Sequence, residues 1–252
     1  MNMKIIFVTG LGRSGTTFLG NLLKEANNVS SRHEFIGNRE FWLLSWYLPA
    51  ENYAVPYLNR YVERIHKELQ GRDIFIDVNS YLQNAVDGLR SVFPDAEIVH
   101  LVRNPKKVIP SLYVRRNERD THQIPKEKLL VEQWLAMDKF EQICWNWANT
   151  TERLLKQDTK LLKFENIVSD YSYLEEHLLQ PMGIKLTKKQ WLATKNKKVN
   201  KTRSRLFRYV YARLTGRAFV QETLGPYGTW TKAQQDIFDR HCGALCQELG
   251  YN

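Results

Sequence analysis

Gly10, Gly12, Arg13, Ser14, Gly15, Thr16 and Thr17 crowd into eight positions directly after the apolar run Ile5-Ile6-Phe7-Val8. Glycines let a backbone come close to an oxyanion, arginine supplies a forked cation, and hydroxyls add hydrogen-bond donors. That chemistry is a grip on a phosphate-like group. Gly10 and Gly15 have the spacing of the nucleoside-triphosphatase loop G-x-x-x-x-G-K-[ST], but Thr16 stands where that loop has its lysine. The cation lies three residues upstream, at Arg13, which suits a group held from the turn and weakens the case for magnesium-nucleotide hydrolysis. A second set is Arg103 with Ser111. If a helix starts at Pro105, Ser111 lies about 9 Å along it by the rise per residue, close enough to share one phosphate with the Arg103 fork. A third set is His33-Glu34, adjacent groups able to accept a proton.

The elements that must position these groups follow from apolar spacing. Lys4–Thr9 reads as a buried strand, and Phe18, Leu19, Leu22, Leu23 and Ala26 recur at helical spacing, so a helix opens at about Gly15 with the loop at its N-terminus. Residues Val29–Glu34 read as a short second strand. If it runs parallel to the first, His33 and Glu34 finish on the edge that carries the loop, where ligands bind. A helix is expected from about Pro56 to Gln70, and a strand at Asp73–Asp77. Glu97–Val102 is a further buried strand that runs into Asn104 as helix cap and Pro105 as first helical residue, with Pro110 expected to kink the helix. Val114–Lys128 reads as a charged, lid-like loop. A long helix is expected from about Glu127 to Gln157, a strand at Lys160–Lys163, and a closing helix through Ile237, Phe238, Cys242, Leu245 and Leu249. Alternating strands and helices predict a three-layer α/β fold, a central parallel sheet flanked by helices, in a single domain over residues 1–252.

Gly12-Arg13-Ser14-Gly15-Thr16-Thr17 resembles the 5′-phosphosulfate loop of sulfotransferases that use 3′-phosphoadenosine-5′-phosphosulfate (PAPS). The arginine form is closest in style to the tyrosylprotein, Golgi carbohydrate and bacterial branches. Arg103 and Ser111, eight residues apart, resemble that family's 3′-phosphate motif, and Arg115 matches a further phosphate-binding arginine of the tyrosylprotein branch. The resemblance implies a P-loop-like fold, PAPS as donor, 3′-phosphoadenosine-5′-phosphate (PAP) as product, no metal, and Glu34 as general base, because the interval from Arg13 to Glu34 matches that of the tyrosylprotein branch. His33 is the rival base. Departures from the pattern are also visible. Val78 or Asn79 stands where relatives often carry a lysine near the donor's bridging oxygen, with Asn79 or Ser80 as the available substitutes. Phe164 replaces a tyrosine in the Lys163-Phe164-Glu165-Asn166 segment.

Charge is uneven: twelve of the 37 Lys/Arg and no Asp or Glu fall between 185 and 217, so the net +10 resides there. Such a run is a solvated face or an anion-binding surface, with Arg203, Arg205 and Arg217 as candidate contacts to the nucleotide. No nucleic-acid motif accompanies it, and nucleic acid is not expected as a partner. Cys144, Cys242 and Cys246 form no metal-ligand set and fit a reducing compartment. The strand begins within four residues, without room for a signal peptide, and no apolar run reaches the about 18 residues of a membrane span. A cytoplasmic location is expected.

The acceptor is a hydroxyl, or an amine, on a carbohydrate, peptide or small molecule. The aromatic segment from Phe35 to Tyr61 lines its pocket or packs in the core; Trp134, Trp145 and Trp147 carry the same two readings. A P-loop kinase, with Asp77 as the magnesium ligand, and a non-catalytic polyanion-binding protein of the same fold are the alternative functions.

Overall fold

The computed structural model describes residues 3–115, 123–197, 210, 213–215 and 223–251. Five parallel strands form one sheet in the order β2-β3-β1-β4-β5: β1 Lys4–Thr9, β2 Val29–His33, β3 Ile74–Val78, β4 Glu97–Val102 and β5 Lys160–Lys163. In register, Val8 faces Val78 on one side and Val99 on the other. The two-residue period sorts the side chains. Ile6, Val8, Ile76, Val78 and Leu101 point to one face, which α1 (Thr16–Leu23) covers with Leu19, Leu22 and Leu23. Phe7, Phe75 and Ile98 point to the other. That second face is covered by helices that follow α2 (Arg39–Tyr47), namely α3 (Ala54–Asn59), α4 (Val62–Leu69) and α5 (Val86–Val92). The expected three-layer, P-loop-like α/β fold is therefore the observed one.

A third cluster closes the end of the molecule beyond Val102. It joins α6 (Pro105–Tyr113), α8 (Lys139–Leu155, after α7, Lys128–Ala136) and the closing helix Lys232–Glu248 around the fully buried Trp147. Cys144, Cys242 and Cys246 are free thiols buried there. Beyond β5 comes the short α9 (Phe164–Ser169). No helix among the described residues is long and apolar enough to cross a membrane.

Two expected helices are each divided. The 56–70 helix begins earlier, at Ala54, with Pro56 in its first turn where no backbone donor is required, and it stops at Asn59. Tyr61 then starts α4, its ring stacked on Tyr57 at 5.7 Å and edge-on to Phe35 at 5.8 Å. The 127–157 helix breaks at Met137, which is extended, because Asp138 accepts from the Glu141 N–H at 2.8 Å and caps a new helix. About half of the basic 185–217 stretch, including Arg203, Arg205 and Arg217, lies outside the described residues, as do residues 116–122 of the expected lid.

The loop after β1 is pressed against the sheet. A Cβ on Gly10 would overlap the Leu101 carbonyl oxygen of β4, and one on Gly15 would overlap the Phe164 ring, whereas nothing lies within 4 Å of a Cβ on Gly12. Gly10→Ala should therefore lose about 1–3 kcal/mol, a typical overpacking cost, while Gly12→Ala should stay within about 0.5 kcal/mol of the parent. Urea unfolding of the two variants measures the difference. Equal stabilities would show that the loop is free to shift away from β4.

Candidate functional site

All five strands end on one edge of the sheet, and each delivers part of the site there. After β1, Arg13 has φ 78° and Gly15 φ 99°, both left-handed, so the backbone curls before α1 begins. The Ser14 N–H donates to the Leu11 carbonyl at 3.1 Å, so this donor is engaged within the turn; Ser14 itself is buried. Thr16 and Thr17 open α1, where the first backbone N–H groups have no partner within the helix and face an incoming anion.

Two guanidinium groups, Arg13 and Arg103, meet at this loop, and the charge of Arg115 acts on Arg13. Arg13 Nε donates to Ser111 Oγ at 2.8 Å, across 98 residues of chain. Arg103 donates to the Arg13 carbonyl at 3.1 Å and lies over the Phe164 ring at 4.6 Å. Burial first, then the charges of Arg115 and Arg103, lower the pKa of Arg13. Burial also lowers that of Arg103, against the opposing charge of Glu165, whose carboxylate is 4.0 Å away. The backbone of Arg103 is held too: the Trp147 indole donates to its carbonyl at 3.2 Å. The expectation that Arg103 and Ser111 converge directly is modified, because Arg13 lies between them and touches both.

The second half of the site forms after β2 and β3. Glu34 is left-handed, φ 55°, a conformation that costs a non-glycine residue about 1–3 kcal/mol. It is held by its neighbours. The fully buried Asp77 carboxylate accepts from the Phe35 and Ile36 N–H groups, each at 3.0 Å, and the Asn79 amide bridges Asp77 Oδ2 at 2.9 Å and the Ile36 carbonyl at 2.7 Å. Ser80 Oγ donates to Glu34 Oε1 at 3.1 Å. Asn79 and Ser80 therefore position the Glu34 segment. His33 turns the other way, against Gly20 of α1, with Nε2 at 3.4 Å from Thr16 Oγ1 and 3.5 Å from Thr17 Oγ1. Burial lowers its pKa, against the raising effect of Glu34, so the imidazole is neutral near pH 7.

A cavity of about 420 Å³ lies beside these groups, with Tyr81, next to Ser80, in one wall and Arg115 in another. Its lining comes from α2, the turn Ser80–Asn84, α6, α7 and α8. Of the Phe35–Tyr61 aromatics, Trp42 lines it, whereas Phe41, Tyr53, Tyr57 and Tyr61 stack on one another in the core. Trp147 is core and Trp134 is wall. Gln123 and Asn146, which also line it, carry no motif in the sequence and went unrecognised there, as did Tyr81.

An edge of parallel strands, a curled loop at a helix N-terminus and arginines beside it make an arrangement that can accept an anionic group. The chain belongs to the sulfotransferase family: the family's profile matches residues 45–188, which include Arg103, Ser111, Arg115 and most of the cavity lining. Among solved structures it is similar to the sulfotransferase domain from the curacin biosynthetic pathway, with 12% identity, 99% of this chain and 98% of that one covered, and a TM-score of 0.57. It is likewise similar to the sulfotransferase domain of the Synechococcus PCC 7002 olefin synthase, with 16% identity, 97% and 95% coverage, and a TM-score of 0.56. These two likenesses establish the fold. No curated protein matches the chain.

Burial, opposed by its hydrogen bonds, raises the Asp77 pKa from 3.8 to about 6. Folding then takes up a proton between those values, so Asp77's contribution to stability is full below pH 4 and is lost as pH rises through 6. Asp77→Asn, neutral throughout, should remove that slope. From pH 4 to 7, its stability relative to the parent should shift in its favour by roughly 2 kcal/mol, at 1.36 kcal/mol per pK unit. Urea unfolding at pH 4, 5, 6 and 7 measures this, and parallel profiles would mean that Asp77 does not take up the proton.

Proposed function

We propose that the protein transfers a sulfuryl group from PAPS to an acceptor hydroxyl, with Glu34 as general base. The reading is carried by the Arg13–Ser111 hydrogen bond, which makes one site of two sequence motifs that the family resemblance assigns to opposite ends of the same nucleotide. The charges of Arg103 and Arg115 disfavour that of Arg13 until a polyanion enters, and a donor with a 5′-phosphosulfate and a 3′-phosphate supplies that charge.

In this reading Gly12, Arg13, Ser14, Gly15, Thr16 and Thr17 hold the 5′-phosphosulfate, and Arg103, Ser111 and Arg115 hold the 3′-phosphate, which selects this donor over ATP. The acceptor oxygen attacks sulfur in line. The bond between sulfur and the 5′-phosphate oxygen breaks, and its electron pair leaves on PAP. The acceptor proton passes to the Glu34 carboxylate and from there to solvent. Arg13 stabilises the charge on the transferring and leaving oxygens. Ser80 Oγ, hydrogen-bonded to Glu34 Oε1, fixes one carboxylate oxygen and leaves the other to face the acceptor. His33 is the less suited base because it lies against the threonines of the loop helix. The kinase reading is less well supported: both oxygens of Asp77, its magnesium ligand, are engaged by N–H donors in the interior.

Calorimetric titration with PAP, magnesium-ATP and AMP tests the donor. PAP should bind at micromolar concentration, AMP far more weakly, and Arg103→Ala should weaken PAP by about 10–100-fold, the value of one or two charge-assisted hydrogen bonds. Preference for magnesium-ATP would overturn the reading. With a sulfated product in hand, Glu34→Gln should lower kcat by about 10²–10⁴-fold, the range for a general base, while PAP affinity holds. Transfer at near the parental rate would pass the role to His33.

A further inference from the structure

The cavity has a lining that specifies what enters it. One end lies next to a support of the base: Tyr81 adjoins Ser80, whose hydroxyl donates to Glu34 Oε1. The other end reaches the donor grip through Arg115, whose charge acts on Arg13. Between them the wall carries two indoles, Trp42 and Trp134, and two amides, Gln123 and Asn146.

The amides are the informative part. Gln123 is buried, and its Oε1 accepts from Asn84 Nδ2 at 3.0 Å, but its Nε2 donor has no hydrogen-bond partner. Asn146 Oδ1, an acceptor, has none either. A buried polar group without a partner costs about 1–3 kcal/mol, and here one donor and one acceptor stand in the same wall. A hydroxyl satisfies both kinds, since it donates once and accepts twice. Indole faces beside amides fit a ring with apolar C–H faces and polar edges. None of the described lining residues is a carboxylate, while Arg39 and Arg115 are cations, so an ammonium-bearing acceptor is repelled and a neutral or acidic one is admitted. The volume, about 420 Å³, lies within the roughly 300–1,000 Å³ of small-molecule sites and accommodates one or two sugar rings.

We infer that the acceptor is a saccharide without free amino groups, bound in this cavity through Gln123 and Asn146 and sulfated on a ring or exocyclic hydroxyl. The inference rests on the proposed sulfuryl transfer, and its test separates the two. The protein is given ³⁵S-labelled PAPS with chitotetraose, cellotetraose, maltotetraose and a hyaluronan tetrasaccharide, alongside de-N-acetylated chitotetraose, 4-nitrophenol and a tyrosine peptide. PAP binding is measured in parallel. The expected result is label on one or more of the first four saccharides and little on the amino sugar, the phenol or the peptide. Asn146→Ala and Gln123→Glu should raise KM for the labelled saccharide at least tenfold and leave PAP affinity unchanged. Gln123→Glu retains the acceptor for Asn84 but puts a charged oxygen in place of the free donor, so a raised KM counts only where PAP affinity and the far-UV circular dichroism spectrum match the parent. If PAP binds and the label goes to the phenol or the peptide, or to none of the saccharides, the inference fails alone. If saccharides are labelled but neither variant changes KM, the cavity is not their site and the inference again fails. Absence of PAP binding removes the sulfotransferase reading and this inference together.

Discussion

Like charge held at close quarters is the constraint on which the rest of the site depends. Arg103 and Arg115 both repel Arg13, and Glu165, at 4.0 Å from Arg103, counters part of the positive charge. Such a cluster stays in place only if its backbone and side chains are tied down. The ties are visible: Ser111 on Arg13, the Trp147 indole on the Arg103 carbonyl, Arg103 on the Arg13 carbonyl, and the Phe164 ring beneath the guanidinium. Phe164 serves a second purpose, since its ring occupies the space that a side chain at position 15 would need. Replacement of the family's tyrosine by phenylalanine therefore leaves a packing role intact while removing a hydroxyl.

The opposite wall is organised by a buried anion. Asp77 is lodged in the interior and takes two backbone N–H groups and one amide N–H. Those bonds pin the segment after Glu34 and so hold Glu34 in a left-handed conformation that it would not adopt alone. The cost of burying a carboxylate and the strain at Glu34 are thus linked: the fold accepts both to fix the Glu34 segment at the strand edge. Arg13 and Arg103 after β1 and β4, Glu34 after β2, and a polar-aromatic cavity lined by Tyr81 and Arg115 thus occupy one end of the sheet. Parallel topology makes this possible, because every strand ends at the same edge and each loop there is free to carry a different group.

Much of this was legible in the residues. Strand ends, the loop, the helix start after Gly15 and the cap at Asn104 are local events, each written in a few consecutive residues as an apolar run, a glycine or a capping side chain. The groups placed at residues 10–17, 33–34 and 103–115 do come together at one edge, although their roles as ligands rest on the family resemblance. Local pattern failed where two signals competed. Apolar periodicity runs through Asp138, but an aspartate able to cap a helix interrupts it, and aromatic stacking at Tyr61 divides the helix before it.

What the sequence by itself determined is therefore the order of elements, the alternation of sheet faces and the identity of the charged groups at the strand ends, because nearest-neighbour sterics and burial period decide them. Tertiary structure alone decided which groups touch. Ser111 belongs with Arg13, Asp77 clamps the backbone after Glu34, and the cavity draws Trp42, Tyr81, Arg115, Gln123, Trp134 and Asn146 from distant parts of the chain. Contacts of this kind depend on how helices pack across about a hundred residues of intervening chain, and no local spacing carries that information.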